Sequence, residues 1–294
     1  MEPQVTNQHN TQEKPRSVEI FQSGDNNSNS GSDHLSLVLP IYRIVTLTLI
    51  ASMIWKYAYF IPIFQSYAQL EITDTFFPPL FTNLSVLAGL YLAPIAFGII
   101  ALFTRSIILL RCQAFITLAC MFGLCIHQGS YNDVTFVTCL WVSLWCVWYT
   151  LKINEPPEVL INKSQRFSLL IISLIFLGGA AGKWTPGYWS GEVIYEIYFR
   201  HRDFWFFNLL RNQLDPESLR NIATLYSRAI VLSETACAFL WLLKPKHGGM
   251  IAIVMLLGLT LLSNLLLFSV TFCLMGLAIV AIETPRWKAT AAKL

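Results

Sequence analysis

The chain has 294 residues and a formal net charge of +3; 55% of its residues are hydrophobic and only 13% are charged. A soluble domain carries about 25% charged residues, so this composition, with apolar runs long enough to cross a bilayer, excludes an ordinary soluble protein. The sequence therefore predicts an all-α, polytopic transmembrane helical bundle in the lipid bilayer.

The first 35 positions are polar and rich in Gln, Asn, Ser and Asp. Such a segment cannot bury enough apolar surface to offset the entropy lost on ordering, so residues 1–35 are predicted to be a disordered tail. The tail contains no basic cluster that would indicate a nucleic-acid partner. Residues 36–283 are predicted to form the transmembrane domain, and residues 284–294 a short second tail.

Apolar runs divide the transmembrane domain into successive spans. A very short link joins the third and fourth spans, which predicts an antiparallel hairpin. Polar stretches predict loops at 65–79 and around Pro156-Pro157. The first five spans are predicted at about 37–64, 80–104, 107–127, 134–151 and 167–182.

A long polar segment, 183–227, follows the fifth span. Within it, EVIYEIYF is predicted to be a short amphipathic helix at the membrane interface. Asp215, Pro216 and Glu217 are typical of a helix start, as the N-cap, the first helical position and an acidic first turn. The helix that begins there is predicted to continue into a sixth span at 228–243.

The remaining apolar stretch, 249–282, follows a tight turn predicted at 244–249. As one helix it would be ~51 Å long, against about 30 Å for the hydrocarbon core. It is predicted either to tilt and protrude or to break near Ser263-Asn264. The total is therefore seven or eight spans.

The positive-inside rule predicts the orientation of the bundle. With loops assigned alternately to two sides, the side of the N-terminal tail carries most short-loop Lys and Arg residues, whereas the short loops opposite carry only Lys56. The tail side is therefore predicted to be cytoplasmic, and the basic second tail favours eight spans. The segment after Lys183 would then face the periplasm of a bacterium or a eukaryotic lumen.

Four polar residues from different segments share one predicted depth: His127, Lys183, Glu234 and Asn264. A charge in hydrocarbon is costly, so Glu234 should either pair with another charge or line a wet cavity. Two interpretations of Glu234 remain open. It is either part of a functional site, or it pairs with Arg228 or another arginine and only stabilises the bundle.

Basic residues near the helix ends also have two open interpretations. Arg43 lies one to two turns inside the first span, and Lys183 lies at the end of the fifth span among Trp184, Tyr188 and Trp189. Trp and Tyr favour the membrane–water boundary. Each basic residue is therefore either an anchor that reaches toward lipid headgroups or a functional residue inside the bundle.

The stretch GGAAGKWTPGYWSGEVIYEIYFRHRDFW, residues 178–205, resembles the segment around the catalytic lysine of the vitamin K-dependent gamma-carboxylase. It also resembles the wider family that shares that enzyme's membrane domain, the horizontally transferred transmembrane (HTTM) domain. The matching features are a glycine-rich helix end, Lys183, Gly191, an aromatic pair and Arg200-His201. Gly182 stands where the carboxylase has a second lysine.

Three other segments add to this resemblance. ETACAF at 234–239 and SNLLLFS at 263–269 are similar to carboxylase segments that carry an acidic residue and an asparagine. HQGSY at 127–131 is similar to the region of its functional histidine, with a two-residue shift. In pattern, the resemblance covers residues 37–282.

The resemblance implies that Lys183 is the catalytic base, that His127 stabilises developing oxyanion charge, and that Glu234 orients these groups. In the carboxylase, a hydroquinone is oxygenated to a strong base that removes a carbon-bound proton before CO2 adds. A lysine that starts this chemistry must be neutral, and apolar surroundings disfavour a charged amine. The resemblance thus implies a lipid-soluble quinol. The residues implied at the quinone or substrate site are Trp184, Tyr188, Trp189, Tyr131, Asn264, Arg200 and His201.

Two classes of function follow. The first is a quinone-dependent oxidoreductase or carboxylase-like enzyme that uses Lys183 as a base. The second is a non-catalytic membrane module that binds a quinone or a lipid, or that serves as a subunit of a larger complex. No nucleotide loop is present, and the 7 cysteines show no CxxC spacing, so neither a nucleotide nor a metal is predicted. Convergence of Lys183, His127 and Glu234 on one pocket would favour the enzyme.

Overall fold

The computed structural model describes residues 27–70, 75–262 and 267–282. Within these ranges the chain is helical and contains no strand, so the predicted all-α bundle is confirmed. Six helical stretches are long and apolar enough to cross a membrane, and two shorter apolar helices follow them. The chain is therefore an integral, multi-pass membrane protein.

The α-helices of the described residues are numbered in chain order. The stretches of spanning length are α1 to α5 and a sixth that contains α9. The helices are α1 (Asn27–Gln69), α2 (Leu84–Phe103), α3 (Ile107–Ile126), α4 (Val134–Lys152), α5 (Pro157–Ala181), α6 (Pro186–Trp189), α7 (Glu192–Ile194), α8 (Trp205–Gln213), α9 (Pro216–Cys237), α10 (Pro245–Leu262) and α11 (Phe268–Ile282).

The two shorter helices, α10 and α11, form an antiparallel pair. Gly249, near the start of α10, packs against Ala278 and Ile282, near the end of α11. At 1.5 Å per residue the helices are about 27 Å and 23 Å long, so each nearly matches the hydrocarbon core. The predicted break within 249–282 is confirmed, although Ser263-Asn264 lies outside the described residues.

Helix α11 contacts α1, α4, α5 and α10. Its closest approach is to α1, where a Cβ on Gly276 would lie 2.1 Å from Thr48 Oγ1 and 3.1 Å from Val45 Cα. The hydroxyls of Thr135 on α4 and Ser269 on α11 form a hydrogen bond of 2.8 Å. Small and weakly polar residues permit such close approach between membrane helices.

Two arginines close helix ends on the side of the bundle opposite Lys183. Arg43 Nη2 donates to the carbonyl of Thr104, the residue that follows α2, at 3.2 Å, and Arg111 Nε donates to the carbonyl of Thr150 on α4 at 3.1 Å. The last carbonyls of a helix have no partner within the helix and carry partial negative charge. Arg43 therefore caps α2 instead of reaching toward headgroups.

Three stretches predicted to be non-helical are helical. Helix α1 begins at Asn27, inside the predicted tail, and continues to Gln69, inside the predicted 65–79 loop. The remaining residues of the predicted tails, 1–26 and 284–294, lie outside the described residues. Helix α5 begins at Pro157, because proline presets the backbone of the first helical turn.

The predicted tight turn at 244–249 is also wrong, since α10 begins at Pro245. Its two glycines serve packing rather than a turn. A Cβ on Gly248 would lie 2.7 Å from Leu169 of α5, and one on Gly249 would lie 2.8 Å from Ile282 of α11. The two glycines, which the sequence suggests as a turn, therefore allow the start of α10 to pack closely between α5 and α11.

The segment after Lys183 folds as a small cap on the bundle. Its apolar cluster is separate from the bundle core and includes the buried Phe199 and Phe207. The predicted EVIYEIYF helix is present as α7 followed by a π-helix, Tyr195–Arg200. The predicted N-cap is confirmed, because the Asp215 carboxylate accepts from the N–H groups of Glu217 and Ser218 at 3.0 Å each. As predicted, α9 continues toward the bundle, but it ends at Cys237.

Adding a methyl group at Gly276 is expected to destabilise the bundle. In Gly276→Ala the new carbon would overlap Thr48 and crowd the α1 backbone, and such overpacking costs about 1–3 kcal/mol. Gly258→Ala is the matched control, because nothing lies within 4 Å of its Cβ position and alanine is the better helix former. Detergent unfolding followed by circular dichroism measures both variants. Wild-type stability of Gly276→Ala would contradict the close approach of α1 and α11.

Candidate functional site

A cavity of about 490 Å³ lies inside the bundle at its Lys183 end. Residues of α4, α5, α9, α10 and α11 line it, together with residues of the cap. Most lining side chains are apolar, such as Trp141 and Phe176. Its charged lining residues are Lys183 and Glu234. A mostly apolar cavity with a few polar groups is the usual form of a small-molecule site.

Lys183 and Glu234 form an ion pair in the cavity wall. Lys183 Nζ donates to Glu234 Oε2 at 2.7 Å and to the carbonyl of Gly179 at 3.3 Å. The side chains are 25% and 9% exposed. Removing a charge from water is costly unless an opposite charge accompanies it. The two side chains therefore have to lie together in the wall of this mostly apolar cavity.

The alternative pairing of Glu234 with Arg228 is wrong. Arg228 Nε donates instead to the carbonyl of Trp189 at 3.0 Å, and its guanidinium lies 5.5 Å from the centre of the Trp189 ring. Glu234 is six residues further along α9, where it meets the end of α5.

The glycine-rich end of α5 leaves room for the ion pair. A Cβ on Gly179 would lie 3.3 Å from Glu234 Oε2 and 3.7 Å from Lys183 Nζ. A larger side chain at this position would therefore crowd both charged groups. Lys183 itself follows the last turn of α5, and its N–H donates to the carbonyl of Ala180 at 2.9 Å.

Side chains of α9 hold the loop that follows Lys183, residues 184–190. Thr224 donates to the carbonyl of Ser190 at 2.7 Å, and Ser227 donates to that of Tyr188 at 2.5 Å. Both bonds tie backbone carbonyls of this segment to α9, and the carbonyl of Tyr188 also accepts from the N–H of Gly191 at 3.0 Å. Helix α9 therefore carries the partner of Lys183 and also fixes the path of the chain beyond Lys183.

Gly191 ends this loop in a conformation that glycine favours. Its φ is +81°, in the left-handed region. A Cβ there would lie only 2.4 Å from Thr224 Cα. The loop can thus lie against the α9 backbone only with glycine at this position.

The structure does not bring His127 to the cavity. His127 is fully buried and does not line the cavity wall. Its Nδ1 accepts from the N–H of Gly129 at 3.0 Å, so the proton lies on Nε2, which donates to the carbonyl of Asn83 at 3.2 Å. Nδ1 therefore forms a bond within the α3–α4 link, and Nε2 connects this link to the start of α2. Of the three residues whose convergence would favour the enzyme, only Lys183 and Glu234 meet.

The other predicted site residues are divided between the cavity and the surface of the cap. Tyr188 lines the cavity. Trp184 and Trp189 stack on each other with ring centres 5.3 Å apart, and they lie outside the cavity wall. Trp184 Nε1 also donates to Thr235 Oγ1 at 3.0 Å. The stacked pair therefore lies against α9, to which Trp184 is hydrogen-bonded.

Three further predicted residues lie away from the cavity. Tyr131 is 53% exposed, and its ring centre lies 5.3 Å from that of Phe77. Arg200 forms an ion pair with Glu196 at 3.0 Å, and His201 lies 3.8 Å from the same carboxylate on the cap surface. Asn264 lies outside the described residues.

Several cavity residues were not singled out in the sequence. Tyr198 of the π-helix and Tyr226 of α9 line the end of the cavity at the cap. Thr138 of α4 and Thr271 of α11 line other parts of its wall. Tyr198 lies within EVIYEIYF, a segment that the sequence identifies as helical, but the sequence does not show that the Tyr198 side chain lines the cavity. The α-helical spacing of an interfacial helix does not indicate which tyrosine of a π-helix faces inward.

Comparisons with protein-family models, with curated proteins and with solved structures found no match. Among the described residues, no group of three or more His, Cys, Asp or Glu side chains is placed to hold a metal ion. The function is therefore inferred from the chemistry of the cavity. A cation–carboxylate pair can exchange a proton, and the apolar walls can hold a hydrophobic molecule.

Breaking the Lys183–Glu234 pair on one side is expected to destabilise the protein. Glu234→Leu leaves a lysine charge in the cavity wall without its partner, which costs about 3 kcal/mol for a largely buried pair. The double variant Lys183→Met/Glu234→Leu should regain most of that loss, because no charge remains. Free energies of unfolding for the wild type, both single variants and the double variant measure the coupling. Additive losses would contradict a direct interaction.

His127 is expected to make the protein less stable in mild acid. Burial lowers the pKa of His127 from its ordinary value of 6.5, although the hydrogen bond to Asn83 opposes this. Below pH 6.5 the unfolded chain therefore binds a proton that folded His127 does not, and stability falls as the pH decreases. His127→Asn keeps an acceptor for Gly129 but does not titrate. Its melting temperature should fall less than that of the wild type between pH 7 and pH 5, and parallel curves would contradict this assignment.

Proposed function

We propose that this protein binds a lipid-soluble quinol in the cavity and that Lys183 acts there as a base toward a quinol hydroxyl. The reaction would be that of a quinone-dependent oxidoreductase or a carboxylase-like enzyme. The observation that carries the proposal is the Lys183–Glu234 pair, which lies 2.7 Å apart in the wall of a mostly apolar cavity within the bundle. The resemblance of residues 178–205 to the segment of the carboxylase's catalytic lysine agrees with this role.

The size and lining of the cavity support a hydrophobic ligand with a polar head. Its volume of about 490 Å³ falls within the usual range of ligand sites, ~300–1,000 Å³. Its charged groups and tyrosines lie where α5, α9 and the cap meet, whereas Leu256, Leu259 and Leu274 line the α10 and α11 side. A quinol head beside Lys183 with its tail among these leucines would match both regions.

The pair supplies a route to a neutral amine. Lys183 Nζ already donates a hydrogen bond to Glu234 Oε2, and transfer of that proton gives a neutral amine and a carboxylic acid. Apolar surroundings favour the neutral pair over two separate charges. The amine lone pair then takes the proton of the quinol hydroxyl: the O–H bond breaks, an N–H bond forms, and the quinolate keeps the electron pair. Dioxygen is the oxidant that receives electrons from the quinolate.

The orientation of the protein is part of the proposal. The Lys183 end would face the periplasm or a lumen, and the N-terminal side would be cytoplasmic. The excess of Lys and Arg in the short loops at the opposite end supports this orientation. Arg105, Lys152 and Lys163 lie in or beside these loops, next to the ends of α2, α4 and α5. A hydrophobic quinol would reach the cavity from the bilayer.

A specific observation favours a second candidate, a non-catalytic module that binds a quinone or a lipid. The amine of Lys183 is already engaged by two acceptors, Glu234 and the carbonyl of Gly179. A lysine held as an ammonium by these groups would position α5 on α9 and would bind a ligand head without removing a proton.

Quinol turnover by the full-length protein in nanodiscs distinguishes the two candidates. Wild type is expected to consume decylubiquinol and dioxygen, and Lys183→Met should bind decylubiquinone but turn over at least about 100-fold more slowly, since a general base contributes this much. Lys56→Met is the matched control, because Lys56 pairs with Asp133 at 2.6 Å and does not line the cavity. If all three proteins bind the quinone and none consumes quinol, the non-catalytic module is supported instead.

A further inference from the structure

Two tyrosines of the cap line the part of the cavity that lies beneath the cap. Tyr188 and Tyr198 of the cap line this part of the wall together with Lys183 and Glu234. Within the described part of the chain, no hydrogen-bond partner is found for the hydroxyl of Tyr188 or Tyr198. A hydroxyl in a mostly apolar cavity costs free energy when it has no partner. Each hydroxyl is therefore free to form a hydrogen bond with a polar atom of a ligand in the cavity.

The ring of Tyr198 packs against α8. It packs against the ring of Phe207 on α8, with the ring centres 5.7 Å apart, and Phe207 is fully buried. Arg211, also on α8, donates to the carbonyl of Phe199 at 2.9 Å and to that of Arg202 at 2.7 Å. Helix α8 therefore fixes both the ring and the backbone around Tyr198. A side chain held in this way loses little freedom when it binds a ligand.

The π-helix sends its two tyrosines in different directions. In an α-helix, residues three apart share a face, but the wider π-turn between Tyr195 and Arg200 rotates them apart. Tyr198 lines the cavity, whereas the Tyr195 ring lies under the guanidinium of Arg220 on α9 at 5.0 Å. Such π-turns are rare and are often found at functional sites.

The hydroxyl of Tyr198 is a hydrogen-bond donor at neutral pH. Burial raises the pKa of Tyr198, and the neighbouring Tyr188 and the charge of Glu234 raise it further, whereas Arg202 opposes them. The hydroxyl therefore keeps its proton. An oxygen of a ligand head is the complementary acceptor.

We propose that Tyr198 is a ligand-binding residue, whose hydroxyl donates a hydrogen bond to one oxygen of the cavity ligand while Lys183 faces another. A quinol or quinone ring carries two oxygens at its opposite ends, so it can meet both residues at once. This inference rests on the proposed function, since it takes the ligand to be a lipid-soluble quinone or quinol. It adds a contact from the cap to the contacts made by α5 and α9.

Binding of decylubiquinone to the full-length protein in nanodiscs tests the role of Tyr198. Quenching of tryptophan fluorescence reports binding, because Trp141 lines the cavity. Tyr198→Phe removes only the hydroxyl and is expected to weaken binding roughly 3- to 10-fold, as for one hydrogen bond. Tyr195→Phe is the matched control in the same π-helix and should stay within about twofold of wild type. Decylbenzene, which has the ring and tail without oxygens, should bind to Tyr198→Phe, Tyr195→Phe and the wild type with the same affinity.

Each outcome decides the proposal. Weaker quinone binding by Tyr198→Phe, with unchanged binding of decylbenzene, supports the hydrogen bond. Equal quinone binding by Tyr198→Phe and wild type overturns the role of Tyr198 and leaves the proposed function intact. Weaker binding of both probes means that Tyr198 only shapes the cavity, which also overturns it. If the wild type does not bind decylubiquinone, the proposed function fails and this inference fails with it.

Discussion

The ion pair between Lys183 and Glu234 is the interaction on which the arrangement of α5, α9 and the cap depends. Two charges in a mostly apolar wall are tolerated only together, so the ends of two helices must meet at this point. Gly179 leaves the space that the pair needs, and hydrogen bonds from α9 hold the loop that follows Lys183. Lys183 is thus held in place both by its charge and by the path of its backbone.

The depth of a residue in the membrane could be predicted from the sequence to a useful degree. Apolar runs end where the helices end, to within a few residues for α2, α3 and α4. Counting residues along the spans placed Lys183 and Glu234 at one level, and the structure places their charged atoms in contact. The N-cap at Asp215 could be predicted because a capping carboxylate acts on the next few N–H groups and is therefore local.

The lateral position and rotation of a residue could not be predicted in the same way. His127 lies near the same end of the bundle, but it faces the start of α2 and not the cavity. Tyr198 turns inward because of a π-turn, which a helical pattern with α spacing does not reveal. The prediction at Pro157 was also wrong. The polar stretch that follows Pro157 was predicted to be a loop, but it forms the first turns of α5.

The close contact of α1 with α11 has a consequence for biosynthesis. Val45 and Gly276 touch, although most of the chain separates them, so the part of α1 that packs against α11 is covered only after nearly every other helix has entered the membrane. Until then the face of α1 around Val45 and Thr48 is open to lipid or to other chains. Contacts between such distant segments form slowly, because a large loop must close first. Assembly of the bundle around α11 is therefore a late event in the biosynthesis of the protein.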